Sequence, residues 1–276
     1  MNSAMSTIFC RHQTMTTLAE LLSQSVSQPT ITLPPNWLQG RTAYGGLTAA
    51  LALQSALHAI KVADATALPP LQAAQIGFIA PMAGALRFRA ALLRQGKSAT
   101  TVAVDGFAED QIGLRAAFIF AQPRQSTITH QRSPMPLVDA PASLAPSPNR
   151  AEAPAFLSNF DVRYIGNTPV CAAQTPELLA WVRFATPVAD VHPAVAMLAM
   201  GDCLAPAAMA SFTQFAPASS MNWSVHFAQV ADPGEWFLLQ SQSLHAAHGY
   251  AYQTMQVWNA QGQPLLFGSQ TVAVFA

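Results

Sequence analysis

The stretch from Gly45 to Ile60, GGLTAALALQSALHAI, is rich in alanine and leucine and contains no charged residue. Its composition and length predict an apolar helix. A helix that is hydrophobic on nearly all sides needs cover all round. Beyond Pro69 and Pro70 the sequence changes to strand-like segments that end at Ala121. We therefore predict a central helix wrapped by an antiparallel sheet.

The same order of elements occurs a second time. His192 to Met209 is another apolar helix candidate, and strand-like segments follow it to the end of the chain. Gly45 precedes His192 by 147 positions, and Phe78 precedes Phe227 by 149. A repeat at this nearly constant offset predicts two similar modules in tandem.

A two-residue alternation marks the strand that leads to Phe227. The apolar set is Met221, Trp223, Val225 and Phe227, and the polar set between them is Ser220, Asn222, Ser224 and His226. This pattern predicts a strand with one buried face, lined by the apolar set.

Prolines separate the two modules. Seven of them lie between residues 122 and 160, where neither a helix nor a central strand can be sustained. We predict an N-terminal tail (1–28), a first module (29–121), a proline-rich linker extended along the surface (122–160) and a second module (161–276).

The composition excludes several classes of partner. Of 276 residues only 9% are charged, and 13 basic side chains balance 13 acidic ones. Without a basic run there is no electrostatic footprint for nucleic acid. The cysteines, Cys10, Cys171 and Cys203, are too widely spaced to indicate a disulfide framework or a zinc site. We expect a cytoplasmic protein without a metal or redox cofactor.

One stretch imitates a membrane span. Pro193 to Phe212 is about one bilayer long and carries a single charge, at Asp202. A carboxylate in a lipid-facing helix is costly, and no basic residues anchor either end. We therefore predict a helix buried in protein and no membrane span. An acid in such a setting must be hydrated, paired or functional.

Short motifs in both modules resemble those of the type II acyl-CoA thioesterases and their relatives. In the first module they are Tyr44-Gly45-Gly46-Leu47, Phe78 to Pro81 and Arg94 to Ser98. In the second they are Gly201-Asp202, Ser219-Ser220, His226-Phe227, Gly234-Glu235-Trp236 and Ser269-Gln270. The resemblance implies an α+β double hotdog, in which each module has a central helix wrapped by an antiparallel sheet.

The resemblance also implies a catalytic set, in which Asp202, Ser220 and Gln270 hold the hydrolytic water. The chemistry is suitable, because an aspartate can orient or deprotonate water and a hydroxyl or amide can both donate and accept. An oxyanion hole is still required. We expect the N–H of Gly46 or Leu47, at the start of the first helix, to supply it. The pair Gly45-Gly46 equally suits close packing of this helix against a strand.

Two departures from the family pattern stand out. Asn222-Trp223 occupies the place of a common Asp-His pair, so the acyl preference is open. Gln54 and Ser55 occupy the register of Gly201-Asp202 in the first helix, so we expect one active site per chain.

Four cations cluster in the first module: Arg87, Arg89, Arg94 and Lys97. They either bind the phosphates of coenzyme A or form the solvated face of a hairpin.

The leading interpretation is an acyl-CoA thioesterase of lipid metabolism, with acyl-CoA as its substrate and a homo-oligomeric state expected by analogy. No GxSxG, GxGxxG or P-loop motif is present, which argues against a serine nucleophile and a nucleotide site. The alternatives are a hotdog enoyl-CoA hydratase and a non-catalytic acyl-CoA binding module.

Overall fold

The structure is a computed structural model that describes residues 15–63, 68–148 and 153–276. These residues form three α-helices, namely α1 (Leu18–Ser27), α2 (Gly45–Ala63) and α3 (Pro193–Gly201). Short 3-10 helices lie at Pro35–Trp37, Pro141–Ser143, Ala155–Asn159 and Ala207–Ser211. The strands of the first half are β1 (Ile31–Thr32), β2 (Leu38–Gln39), β3 (Thr42–Ala43), β4 (Leu71–Phe78), β5 (Ala85–Gln95), β6 (Ala99–Ala108) and β7 (Gln111–Ala121). Those of the second half are β8 (Phe160–Tyr164), β9 (Glu177–Phe184), β10 (Ala218–Phe227), β11 (Phe237–Ala247), β12 (Tyr250–Asn259) and β13 (Pro264–Val274).

Eleven strands form one continuous sheet in the order β1-β5-β6-β7-β4-β10-β13-β12-β11-β9-β8. All of its strand pairs are antiparallel, and β2 and β3 form a separate small pair. The two halves join where β4 pairs with β10, with Ile76 opposite Trp223. The sheet and its central helices have the double hotdog arrangement that the sequence predicts.

Helices α2 and α3 pack against each other in the core. Every residue of α3 after Pro193 is buried, which explains why its sequence is hydrophobic on all sides. No helix in the described part of the chain is long and apolar enough to cross a membrane.

The predicted N-terminal tail contains a helix. Residues 1–14 lie outside the described part, but α1 begins after Thr17 with a capping box formed with Glu20. Leu18, Leu21 and Leu22 are buried, and α1 packs on α2. The stripe of leucines gives this segment apolar surface to bury, so it belongs to the folded core.

The segment between the modules lies on the outer face of the sheet, the face turned away from α2 and α3. Met135, Val138 and Leu144 pack there against Trp181, Leu238 and Trp258. The two indole N–H groups donate to this segment, from Trp181 to the Asp139 carbonyl (2.9 Å) and from Trp258 to the Ser133 carbonyl (3.0 Å). The proline-rich chain is therefore attached to the second half by specific contacts.

Candidate active site

Asp202 lies where the end of α3 meets the start of α2. It caps the C-terminus of α3, and its backbone N–H donates to the Met200 carbonyl. A β-carbon added to Gly45, the first residue of α2, would lie 2.6 Å from Asp202 Oδ2. Glycine at this position therefore lets the start of one central helix touch the acid at the end of the other.

The surroundings favour the neutral form of Asp202. Burial raises the pKa of this carboxyl to about 7, against hydrogen bonds from Gln270 and from the Gly46 N–H, which lower it. Gly46 and Leu47 both lie in the first turn of α2, where backbone N–H groups have no intrahelical carbonyl. Of the two predicted oxyanion donors, the Gly46 N–H is thus bonded to the acid, and the Leu47 N–H follows it in the same turn.

Gln270 connects the predicted catalytic residues. It lies on β13, faces the core and is 2% exposed. Its Nε2 donates to Asp202 Oδ1 at 2.6 Å, and its Oε1 accepts from the Ser220 hydroxyl at 3.1 Å. The structure therefore brings Asp202, Gln270 and Ser220 together in one hydrogen-bonded set.

A β-bulge brings Ser220 to this set. Ser220 is opposite Val272 and Trp223 is opposite Gln270, so β10 has one residue more than β13 between these pairs. Opposed residues in a sheet share a face, so Ser220 points inward with Gln270. The predicted alternation is wrong at this point, since Met221 is 46% exposed.

Gln253, on the neighbouring strand β12, extends this hydrogen-bonded set and is not among the residues predicted from the sequence. Its Nε2 donates to Gln270 Oε1 at 2.8 Å, and its Oε1 accepts the Ala207 N–H at 2.8 Å. Gln253 is 2% exposed and shares the inner face with Ala251 and Met255. In the two-residue alternation of β12, Gln253 is a polar residue at a position otherwise occupied by apolar side chains, and this was the signal that could have found it.

Tyr44 also lies near Asp202 and is not among the site residues predicted from the sequence. Its ring is fully buried, and its hydroxyl donates to the Ala199 carbonyl of α3 at 2.9 Å. Burial, the nearby Asp202 and Cys203 hold the pKa of this phenol well above its usual range. Tyr44 therefore joins the start of α2 to α3 as a neutral group.

Asn222 and Trp223, which stand in place of the family's Asp-His pair, face opposite sides of the sheet. The Asn222 side chain accepts the Thr271 N–H at 2.9 Å on the outer face. Trp223 is fully buried, with its indole against Gly201, where an added β-carbon would lie 3.3 Å from the ring. Trp223 thus supports the end of α3 rather than offering a titratable group.

The first half has apolar residues at the positions that correspond to Ser220 and Gln270 in the second half. The register of β4 against β7 shifts after Leu71, as that of β10 against β13 shifts after Ser220. Counted from these shifts, Leu71 corresponds to Ser220 and Phe118 to Gln270. Leu71 and Phe118 are both buried in the core. This asymmetry supports the expectation of one active site.

The four cations lie elsewhere in the sheet. Arg87, Arg89 and Arg94 belong to β5, which β6, β7 and β4 separate from β10, and Lys97 lies in the turn after β5. The Arg87 guanidinium is 3.7 Å from an Asp110 carboxylate oxygen. Their assignment to coenzyme A phosphates stays a prediction.

Comparisons with known proteins give the family. Residues 33–121 match the model of the acyl-CoA thioesterase N-terminal domain, and residues 138–274 match that of the acyl-CoA thioesterase C-terminal domain. Together the two matches span most of the chain. No match was found among curated protein sequences.

Solved structures share the fold at low sequence identity. A conserved protein of unknown function with a hotdog fold from Alicyclobacillus acidocaldarius has a TM-score of 0.79 at 22% identity, over 90% of this chain and 92% of that one. The TesB protein of Mycobacterium avium subsp. paratuberculosis has a TM-score of 0.74 at 20% identity, over 95% and 100%. An acyl-CoA thioesterase II, TesB2, from Mycobacterium marinum has a TM-score of 0.70 at 19% identity, over 91% and 97%.

These similarities confirm the predicted hotdog fold, and the two domain matches agree with the hydrolase chemistry that the sequence suggests. The protein is a thioester hydrolase, and its chain belongs to the acyl-CoA thioesterase family.

Proposed function

We propose that this enzyme hydrolyses acyl-CoA thioesters by direct attack of a water molecule held by Asp202, Ser220 and Gln270. The observation that carries the proposal is the bonded set itself, with a carboxyl whose pKa is raised to about 7. A general base works best when its pKa lies near the working pH.

The reaction requires two bond changes at the carbonyl carbon. Asp202 accepts a proton from water while the water oxygen bonds to the carbonyl carbon. The tetrahedral intermediate then collapses, the C–S bond breaks, and the thiolate of coenzyme A takes up the proton. The products are a free acid and coenzyme A, so no covalent acyl-enzyme is needed.

The start of α2 is the proposed oxyanion site. The N–H of Leu47, or that of Gly46 once substrate displaces its bond to Asp202, would donate to the carbonyl oxygen. The partial positive charge at a helix N-terminus favours the negative charge that develops there. Arg87, Arg89, Arg94 and Lys97 are proposed to bind the phosphates of coenzyme A.

The family resemblance leads us to place the enzyme in lipid metabolism, to require no cofactor and to expect a homo-oligomer. The widely spaced cysteines lead us to expect a cytoplasmic location. A hydratase is less well supported, because Asp202 has no histidine adjacent in sequence, and the strand residue whose ring lies against Gly201 is the buried Trp223.

Thiol release from short-chain, medium-chain and aromatic acyl-CoAs tests the proposal. We expect wild type to release thiol and Asp202→Asn to lower kcat by at least about 100-fold. Asp190→Asn is the matched control, because Asp190 is exposed. Full activity of Asp202→Asn would show that the site lies elsewhere. Hydration of an enoyl-CoA without thiol release would favour the hydratase.

A further inference from the structure

The orientation of the Gln270 side-chain amide is not fixed by its two neighbours in the proposed site, Asp202 and Ser220. A glutamine amide donates through nitrogen and accepts through oxygen, and rotation by half a turn exchanges the two ends. The Ser220 hydroxyl can either donate or accept, so it suits both orientations. Asp202 accepts a hydrogen bond when ionised but can donate one when protonated. Near neutral pH both orientations of Gln270 can therefore be satisfied by Asp202 and Ser220.

We infer that Gln253 is a positioning residue, which holds the Gln270 amide with its nitrogen toward Asp202 and its oxygen toward Ser220. This inference rests on the proposed function of the Asp202, Ser220 and Gln270 set.

The orientation of Gln253 is itself determined by the backbone. Its Oε1 accepts the Ala207 N–H at 2.8 Å, and a backbone N–H can only donate. The Nε2 of Gln253 must then point the other way, where it donates to Gln270 Oε1 at 2.8 Å. Gln270 in turn donates to Asp202 at 2.6 Å. The hydrogen bonds run in one direction from the backbone of Ala207 to the carboxylate.

Burial makes this orientation costly to lose. Gln253 and Gln270 are each 2% exposed, so water cannot readily replace a lost partner. A buried amide without its hydrogen bonds is strongly disfavoured. A low-dielectric setting also strengthens each bond of a chain that is fully satisfied.

A reversed Gln270 would turn its carbonyl oxygen toward Asp202. Two acceptors then face each other unless the carboxyl is protonated, so loss of Gln253 should favour the inactive acid form. The other titratable groups at the carboxyl are Tyr44, which precedes α2, and Cys203, which follows α3. The pKa values of both are raised by burial, so both stay neutral near pH 7.

The test uses Gln253→Met, which keeps the length of the side chain but removes its hydrogen bonds. We expect kcat to fall about tenfold with little change in KM. The acid limb of the pH profile should move to higher pH, by roughly half a unit or more. Gln256→Met is the matched control, since Gln256 lies on the outer face of the same strand and bonds to Ser133.

A double-mutant cycle separates positioning from a structural role. If Gln253 acts through Gln270, then Gln253→Met should cause no further loss of kcat in a Gln270→Met background. Additive losses, or a pH profile equal to that of Gln256→Met, would overturn the inference and leave the proposed function intact. Full activity of both Gln270→Met and Asp202→Asn would instead refute the proposed function.

Ala207→Pro provides a second variant if Gln253→Met does not fold. It removes the N–H that orients Gln253, and Pro206 has ψ of 131°, which suits a residue before proline. We expect the acid limb of the pH profile to move to higher pH, as in Gln253→Met, with a smaller loss of kcat than in that variant. Unchanged kcat and an unchanged pH profile in this variant would contradict the inference.

Discussion

Asp202 depends on its neighbours for both its position and its basicity. Apolar packing raises the pKa of the carboxyl, while the N–H groups of Gln270 and Gly46 limit the rise. The balance gives a carboxylate that is more basic than an exposed aspartate but still ionised in part at neutral pH. The site therefore has a carboxyl whose pKa suits proton transfer near neutral pH.

We predict that kcat/KM falls on the acid side of about pH 7. Only the ionised form of Asp202 can accept a proton from water, and its pKa is about 7. Protonation below this pH should lower kcat/KM up to about tenfold per pH unit. The measurement is thiol release as a function of pH at constant ionic strength. A profile that is flat down to about pH 5 would contradict the assignment.

Gly45→Ala tests the close approach of the two helices. The new β-carbon would lie 2.6 Å from Asp202 Oδ2, so the carboxylate must move. Displacing a catalytic group by about 1 Å can cost about 100-fold in rate. We expect kcat to drop by at least about tenfold, while the melting temperature changes little because alanine favours a helix.

Gly77→Ala is the control for this substitution. Gly77 lies on β4, and an added β-carbon there would meet the Arg115 carbonyl at 3.6 Å, an ordinary contact. The activity of Gly77→Ala should equal that of wild type. If Gly45→Ala also kept full activity, Asp202 would not need its present position.

Among the elements, β10 and α1 differ most from what the sequence pattern suggests. The bulge in β10 reverses the face of Ser220 relative to simple alternation. Helix α1 carries a capping box and three buried leucines in a segment predicted to be a tail. The bulge is visible only in the pairing of β10 with β13, and the place of α1 in the core only in its packing on α2.

Leu21→Ala measures how far α1 belongs to the core. Leu21 is fully buried, so its truncation leaves a cavity and should lower the free energy of unfolding by about 3 kcal/mol. Chemical denaturation checks this value. Ser23→Ala, on the exposed side of α1, should change it by less than about 0.5 kcal/mol. Equal stability of Leu21→Ala and wild type would mean that α1 is dispensable for folding.

At the scale of the whole molecule, two similar halves differ in the residues that they place at corresponding positions. Both halves have the same register shift, but Leu71 and Phe118 fill the positions that correspond to Ser220 and Gln270. The first half supplies the start of α2, and the second supplies the acid. The proposed site therefore needs both halves.

We therefore predict one catalytic site per chain. Calorimetric titration with a non-hydrolysable acyl-CoA analogue should give a stoichiometry of one. In addition, Asp202→Asn should leave no second phase of activity at high substrate concentration. Two bound analogues per chain, or a residual phase of activity with its own KM, would show that the first half also has a site that binds substrate.

Much of the fold could be predicted from the sequence. The helix at Gly45 and its counterpart at His192 are recognisable from their composition. A helix that is apolar on all sides must be buried, and a sheet wrapped around it provides that burial. Asp202 was conspicuous as the single charge in that second stretch. Gln253 was less conspicuous, because a polar residue among the apolar positions of a strand indicates a buried polar group but does not reveal its hydrogen-bond partners.

The sequence by itself determined the double hotdog fold, where each central helix begins, and the single charge in the second apolar stretch, since periodicity and apolar composition are local properties. The second helix was predicted to extend to Met209, but α3 ends at Gly201. Only the tertiary structure decided the face of Ser220, the hydrogen bond between Gln253 and Gln270, and the contact of Gly45 with Asp202. These depend on the register between strands and on the distance between helices, and both arise from residues far apart in the chain.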